Sequence, residues 1–288
     1  MQKIRISTDS TADIPKSLRE ELNIKVLPIS IVCSKGELKD GYDIEPQEFY
    51  EILRNEQQLP STAQVQLAVY HELFEETLNL GYTDLVYISI NSKGSGSFQS
   101  AQLAKELFFE EHPEAADKLN IHLLDSLNYS MTYGWAAIKA ARMAEQGESV
   151  EKVLEETKDW LAHARALLMP LDLSFVKKSG RVSAVAAFVG DAMGLKPAIT
   201  FIDGKSEVLT KIRGEKKLPQ AIFDLVNADR EAGTPYFLAY TENMEAFDKM
   251  KAVFDEQMDI APEFCYPLGC VISVNAGPNS VAVVYKSK

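Results

Sequence analysis

The sequence has few cysteines and histidines, no long apolar run and no surplus of basic residues. Its 288 residues include the three cysteines Cys33, Cys265 and Cys270 and four histidines. An odd set of cysteines without C-x-x-C spacing argues against a disulfide framework and a zinc cluster, and it is typical of a reducing compartment. No uncharged apolar stretch is long enough to cross a bilayer, and the amino terminus has no signal region. These absences predict a cytoplasmic protein without a transmembrane segment.

Charge narrows the possible partners. The formal net charge is −12, from 30 basic and 42 acidic residues. Phosphate backbones repel so acidic a surface unless a basic patch is present. The richest basic stretches, Lys177–Arg181 and Lys211–Lys217, are short and poor in aromatic residues. We therefore expect no nucleic-acid partner.

The first half of the chain alternates strand, polar turn and helix, which is typical of a parallel sheet with ligands at the carboxyl ends of its strands. A boundary at Gln146–Ser149 divides the chain into an N-terminal α/β domain, 1–148, and a smaller C-terminal α/β domain, 149–288. Asp203-Gly204-Lys205 is a hairpin signal, so the second sheet should be mixed and partly antiparallel. Its strands are predicted at Ala166–Leu173, Ala198–Ile202, Glu207–Ile212, Pro235–Tyr240, Val271–Val274 and Val281–Tyr285.

Asn91–Ala101 is the strongest candidate for a binding site. A buried strand at Asp84–Ile90 leads through a turn rich in glycine and serine to a helix predicted from Ser97 to Glu111. Free amides and the helix dipole favour an anion at such a helix start. The glycines, Gly96 among them, allow close backbone approach, and Ser95 and Ser97 add hydroxyl donors. The alternative is a tight turn in which one serine merely caps the helix.

Other polar turns carry weaker signals. Pro60–Gln64 gives an extended entry in which Ser61 or Thr62 caps the following helix. Asn275–Asn279 follows a predicted strand and is typical of a rigid turn. Asp9-Ser10 and Asp125-Ser126 end strands, where turn or cap roles are common.

Taken together, these segments resemble the DegV family of fatty-acid-binding proteins, which includes the FakB subunits of bacterial fatty acid kinase. The resemblance rests on an ordered series spanning nearly the whole chain. Its members are Ser7–Pro15, Pro60-Ser61-Thr62, Ser95–Ala101, Lys177–Ser183, Leu195–Ala198, Asp203–Arg213 and Gly277-Pro278.

The resemblance implies an acyl chain, such as palmitate, buried between two α/β domains. Ser95 would hydrogen-bond its carboxylate beside the Gly96 amide, and Thr62 would be the second hydroxyl partner. Arg213 matches a basic residue near the head group in the kinase-associated members of the family. No further cofactor and no metal are implied. The small residues of Ser183–Val189 could line a narrow tunnel, although packing in a core is the commoner role of such a helix.

Departures from the family pattern limit the activity. Asn275 stands where the family has His, Asn279 and Ala63 replace Gly and Ser, and Asn91 and Gly94 replace Ser and Leu. A neutral amide supplies neither charge nor a proton to a phosphate. Carboxylate binding is compatible with these changes, whereas a part in acyl phosphate formation is put in doubt.

Energetics favour a binding protein. Roughly fifteen buried methylenes contribute on the order of 12 kcal/mol, against about 4–15 kcal/mol for association. Gly94-Ser95-Gly96 lacks the register of a nucleophile elbow, and none of the four histidines follows a catalytic motif or has a partner at ligand spacing. We therefore expect a non-catalytic role in fatty acid transport or metabolism. The alternatives are a subunit that presents acyl chains to a fatty acid kinase catalytic subunit, a hydrolase, or a binder of another anion.

Overall fold

The computed structural model describes residues 2–186 and 194–288, which form two compact units. The N-terminal unit comprises Met1–Ser30 and Thr62–Ala162, and the C-terminal unit comprises Ile31–Ser61 and His163–Lys288. The boundary expected after residue 148 lies inside the N-terminal unit. Because the C-terminal unit also takes in residues 31–61, it is the longer of the two rather than the smaller.

The N-terminal unit is built on a parallel sheet, as the alternating pattern predicts. Strands, numbered along the chain, lie in the order β2-β1-β6-β7, and all three pairings are parallel. Their bounds are β1 (Ile4–Asp9), β2 (Lys25–Leu27), β6 (Asp84–Ser89) and β7 (Asn120–Asp125). Every residue of β6 is buried, which explains its nearly continuous apolar sequence.

Five helices accompany this sheet within the described ranges: α1 (Lys16–Glu21), α3 (Leu67–Asn79), α4 (Ser97–Glu111), α5 (Met131–Glu145) and α6 (Val150–His163). The side chains of α6 explain why the unit extends past residue 148. Trp160 Nε1 donates to the Thr132 carbonyl at 2.7 Å, and Lys139 pairs with Glu156 at 2.7 Å. Helix α6 therefore packs on α5.

The C-terminal unit contains the predicted mixed sheet, in the order β10-β9-β8-β13-β11-β12. The strands are β8 (Ala164–Pro170), β9 (Leu195–Ile202), β10 (Lys205–Arg213), β11 (Tyr236–Tyr240), β12 (Phe264–Pro267) and β13 (Ser280–Lys286). Strands β11 and β12 are parallel, and the other pairings are antiparallel. Lys205 pairs with Ile202 across Asp203 and Gly204, both at positive φ, which confirms the hairpin.

The remaining elements include a strand that is separated from β2 by a proline. Pro28, which has no backbone N–H to donate, lies between β2 and β3 (Ser30–Cys33). The other elements are β4 (Gly36–Lys39), β5 (Ser61–Ala63), α2 (Pro46–Asn55), α7 (Leu173–Ser179), α8 (Ser183–Ala186), α9 (Leu218–Asp229), α10 (Met244–Gln257) and α11 (Cys270–Ala276).

One predicted strand is absent. The prediction of a strand over Val271–Val274 is wrong, because these residues lie in α11. The segment Ser183–Val189, considered as a tunnel lining, extends beyond the described residues after Ala186. No helix in the described ranges is long and apolar enough to cross a membrane.

Candidate functional site

The turn after β6 is built on Asn91. The Asn91 carbonyl accepts from the amides of Gly94 at 3.0 Å and Ser95 at 3.1 Å, and its Oδ1 accepts from the Lys93 amide at 3.0 Å. Its Nδ2 donates to the Tyr129 hydroxyl at 2.9 Å. A Cβ at Gly94 would lie 2.2 Å from that same hydroxyl. Tyr129 therefore leaves no room for a side chain at position 94.

The turn delivers Ser95, Gly96 and Ser97 to the N-terminus of α4. Ser95 and Gly96 are half-buried and Ser97 is buried. Gly96 is the N-cap and provides no side-chain cap, so the first amides of α4 lack intrahelical acceptors. The Ser95 Oγ lies 2.9 Å from the Ser97 Oγ and accepts from the Ser97 amide at 3.3 Å. Two hydroxyls and the helix-start amides thus meet where an anion is favoured.

The segment carrying Thr62 lies beside this helix start. Gln64 Nε2 donates to the Ser100 Oγ at 2.7 Å, and the Val65 amide donates to the Ser97 Oγ at 3.3 Å. A Cβ at Gly96 would lie 1.9 Å from the Gln64 Oε1, so the glycine admits this close approach. Thr62 itself is half-buried in β5 and does not cap α3, whose N-cap is Gln66. The capping role expected for Ser61 or Thr62 is therefore wrong.

A buried hydrogen-bond network continues inward from Ser97. The Tyr70 hydroxyl lies 2.8 Å from the Tyr87 hydroxyl, and hydrogen bonding from the neighbouring Ser97 side chain opposes the rise in the Tyr70 pKa. Tyr87 in turn contacts Asp9 Oδ2 at 3.4 Å, a long hydrogen bond. We call Asp9, Tyr87, Tyr70, Ser97 and Ser95 the hydroxyl chain.

Asp9 is completely buried at the inner end of the hydroxyl chain. Its Oδ1 accepts from the Tyr133 hydroxyl at 2.7 Å and the Thr11 amide at 3.1 Å, and its Oδ2 accepts from the Ile90 amide at 2.9 Å. Burial raises the pKa of the Asp9 carboxyl, and the hydrogen bonds from Ile90, Tyr133 and Thr11 oppose that rise. Asp9 is thus more than the turn residue that its place at a strand end suggests.

The tyrosines around Asp9 remain protonated at neutral pH. Burial raises the pKa of Tyr70, Tyr87 and Tyr133 well above the ordinary phenol value, and the nearby Asp9 carboxyl adds to the rise. All three keep a proton to donate. Sequence reasoning missed them because they lie far from Asp9 along the chain, and only the assembled sheet and helices bring them together.

Asn275 and Arg213 both belong to the C-terminal unit. Asn275 lies in the last turn of α11, not in a turn after a strand, and its Nδ2 donates to the Val271 carbonyl at 2.9 Å. Arg213 is exposed at the end of β10. Gly277, the C-cap of α11, has φ +82°, and a Cβ there would lie 3.0 Å from the Phe175 ring. That contact accounts for the glycine of the Gly-Pro pair.

Asn279, the other departure in this segment, has a local partner. Its Oδ1 accepts from Asn243 Nδ2 at 2.8 Å, and its carbonyl accepts from the Leu171 amide at 2.8 Å. Neither Asn275 nor Asn279 supplies charge or a titratable proton.

Fold and site together define a two-unit α/β protein in which neutral hydroxyls and backbone amides meet at a helix N-terminus, an arrangement of donors that suits an anion. The family model described as "Uncharacterised protein, DegV family" matches residues 3–288. The chain therefore belongs to the DegV family.

Individual relatives agree over their full length. A DegV domain-containing protein of Caldanaerobacter subterraneus is 32% identical, with 100% of each chain covered. Among solved structures, a fatty-acid-binding DegV family protein from Thermus thermophilus matches with a TM-score of 0.87 and 26% identity over 100% of both chains. A stearic-acid-binding protein from Eubacterium ventriosum matches with a TM-score of 0.86 and 25% identity over 99% of this chain and 98% of the other.

Proposed function

We propose that this protein binds a long-chain fatty acid such as palmitate, with Ser95 and Thr62 as hydroxyl donors to the carboxylate and the Gly96 region supplying amides. The observation that carries the proposal is the pair of Ser95 and Ser97 hydroxyls 2.9 Å apart at the start of α4, where the N-cap Gly96 has no side chain to cap the helix. The fatty acids bound by the structural relatives from Thermus thermophilus and Eubacterium ventriosum support it.

The same geometry supports carriage rather than catalysis. A nucleophilic serine needs a base within hydrogen-bond reach. Among the described residues, the hydrogen-bond partner of the Ser95 hydroxyl is Ser97, and no histidine contacts either serine. A carboxylate acceptor fits a site made only of neutral donors, because hydrogen bonds to a charged group contribute about 1.5–3 kcal/mol each.

We further propose a cytoplasmic role in fatty acid transport or metabolism. The free thiols of Cys33, Cys265 and Cys270 support a reducing compartment. In this role the protein could also present its acyl chain to a fatty acid kinase catalytic subunit. The neutral Asn275 leads us to expect poor phosphoryl transfer in such a complex.

Ser95→Ala tests the head-group assignment. Loss of one hydrogen bond to a carboxylate should weaken palmitate binding about 10- to 100-fold. Hexadecanol has the same tail without the charge, so its binding should fall much less. Ser174→Ala, at an exposed serine in the first turn of α7, is the matched control and should change neither affinity.

Titration calorimetry of the wild type and the two variants with both ligands gives the six affinities needed. Mass spectrometry of lipid extracted from the native protein identifies the resident acyl chain. If Ser95→Ala weakened palmitate and hexadecanol binding equally, Ser95 would not be the partner of the carboxylate. Absence of any fatty acid, bound or titrated, would overturn the proposed function.

A further inference from the structure

Two histidines that are far apart along the chain come together on the surface of the N-terminal unit. His71 and Glu75 lie four residues apart on one face of α3, and His112 is the C-cap of α4. The imidazole centroids of His71 and His112 are 6.0 Å apart. No two histidines lie at metal-ligand spacing along the sequence, and it is the fold that brings His71 and His112 together.

One potential ligand atom each from His71, Glu75 and His112 faces a common point, and none of these three atoms is within hydrogen-bond distance of another. His71 Nδ1 lies 3.8 Å and His112 Nε2 lies 3.6 Å from the same Glu75 Oε1. The three ligand atoms all lie within 4.8 Å of one another. These separations exceed those of good hydrogen bonds, which are about 2.7–3.2 Å.

The separations suit a tetrahedral metal ion. With zinc–nitrogen and zinc–oxygen bonds of about 2.0–2.2 Å, neighbouring ligand atoms lie about 3.4 Å apart. The observed 3.6 and 3.8 Å need a small contraction, and the two histidine nitrogens, which lie within 4.8 Å of each other, need to approach as well; these exposed side chains have the freedom to do so. Mixed imidazole and carboxylate ligands favour zinc and similar transition ions over magnesium or calcium.

The other nitrogen of each ring faces a second carboxylate. His71 Nε2 lies 2.9 Å from Glu111 Oε2, and His112 Nδ1 lies 3.6 Å from Glu114 Oε1. A proton on each of these nitrogens leaves His71 Nδ1 and His112 Nε2 with lone pairs toward the common point. The Glu111 carboxylate is within hydrogen-bond distance and can orient His71, as outer carboxylates orient metal-binding histidines, whereas Glu114 is too far from His112 for a direct hydrogen bond. The Phe108 ring, 5.6 Å from His71 and 5.1 Å from His112 between ring centroids, supports both imidazoles.

We propose that His71, Glu75 and His112 form a binding site for one divalent transition-metal ion, zinc in the first instance, with water completing the tetrahedron. The site is open to solvent, since the side chains of His71, His112 and Glu75 are 20%, 33% and 45% exposed. A bound ion would join the middle of α3 to the end of α4.

Zinc titration of the tag-free protein in a non-thiol reductant tests the site. We expect one ion per chain and a rise of several degrees in Tm when zinc is in excess. His71→Gln, His112→Gln and Glu75→Gln should each weaken binding at least tenfold. His122→Gln is the matched control, because His122 pairs with Asp84 elsewhere in the same unit, and its affinity should be unchanged.

Cobalt substitution gives a second signal. Tetrahedral cobalt with nitrogen and oxygen ligands should produce a visible absorption band in the wild type that is lost in Glu75→Gln, an exposed change that spares the fold. No stoichiometric zinc binding, or binding that survives all three ligand substitutions, would overturn the proposal. Neither result bears on fatty acid binding, which Ser95→Ala tests separately.

Discussion

Tyr87→Phe should remove a pH dependence from fatty acid binding, because it interrupts the hydroxyl chain between Asp9 and Ser95. An ionised Asp9 can only accept, so Tyr87 donates to it and Tyr70 donates to Tyr87. Ser97 then donates to Tyr70, and Ser95 turns its proton inward to Ser97. In this state the Ser95 hydroxyl offers no proton to a ligand.

A protonated Asp9 reverses every bond of the chain. Its carboxyl donates to Tyr87, and the donations run outward until Ser97 donates to Ser95. The Ser95 oxygen still accepts from the Ser97 amide, and its own proton is free for a carboxylate. Carboxylate binding therefore favours the protonated form of Asp9.

The sign and the size of the effect follow from linkage. Burial raises the pKa of Asp9 above its ordinary 3.8, so protonation shifts toward neutral pH. Below the Asp9 pKa of the free protein, this contribution to palmitate affinity is complete. Above it, affinity falls by up to about tenfold per pH unit, or about 1.4 kcal/mol. Tyr87→Phe leaves Asp9 in place but disconnects it from Ser95, so the slope should flatten.

Tyr133→Phe is the matched control. Tyr133 donates to the other Asp9 oxygen and lies outside the chain. Its loss removes a hydrogen bond that lowers the Asp9 pKa, so the pH dependence should persist and move to higher pH. The titratable groups facing Asp9 are Tyr70, Tyr87 and Tyr133, with Asp13 acting on Tyr133.

The assay is palmitate affinity measured by calorimetry across pH for the wild type and the two phenylalanine variants. The ligand's own ionisation is common to all three proteins and cancels in their comparison. Parallel pH profiles for the wild type and Tyr87→Phe would refute the reasoning.

Two further predictions concern other parts of the chain. Asn275→His should raise transfer of phosphate to a bound acyl chain by a fatty acid kinase catalytic subunit, measured as acyl phosphate formed, because histidine can carry charge or a proton; robust transfer by the unaltered protein would contradict this. Gly134→Ala should lower the free energy of unfolding in urea by about 1–3 kcal/mol, although alanine is usually the better helix former, because its Cβ would lie 2.2 Å from the Ala12 carbonyl oxygen. An unchanged unfolding midpoint would show that the backbone at Ala12 yields freely.

The helix at the site was predictable from the sequence. It has the expected bounds, Ser97–Glu111, because the glycine- and serine-rich turn before it marks its start. The strand prediction for Val271–Val274 failed because a short β-branched run is compatible with either a strand or a buried helix. In α11, Ser273 returns its hydroxyl to the Gly269 carbonyl at 2.8 Å, and Val271 and Val274 are buried.

Some residues of the candidate site were predictable from the sequence, and others were not. Ser95, Gly96 and Ser97 follow one another in the sequence, so a local motif identifies them. Tyr70 and Tyr87 are defined by a partner across the sheet, and no local signal distinguishes them from ordinary core tyrosines. The His71–His112 approach depends likewise on how α3 and α4 pack.

The discontinuous makeup of both units has a consequence for how the chain folds as it leaves the ribosome. Residues 31–61 emerge early, yet the Tyr50 hydroxyl donates to the Leu268 carbonyl 218 positions later. The strands β1, β2, β6 and β7 are complete once residue 125 is out. Synthesis therefore favours an order in which the parallel sheet forms first while the intervening segment waits for its partners. A fragment ending near residue 148 would carry that segment without the remainder of its unit, exposing apolar side chains such as Phe49 and Leu53 that are buried in the full chain.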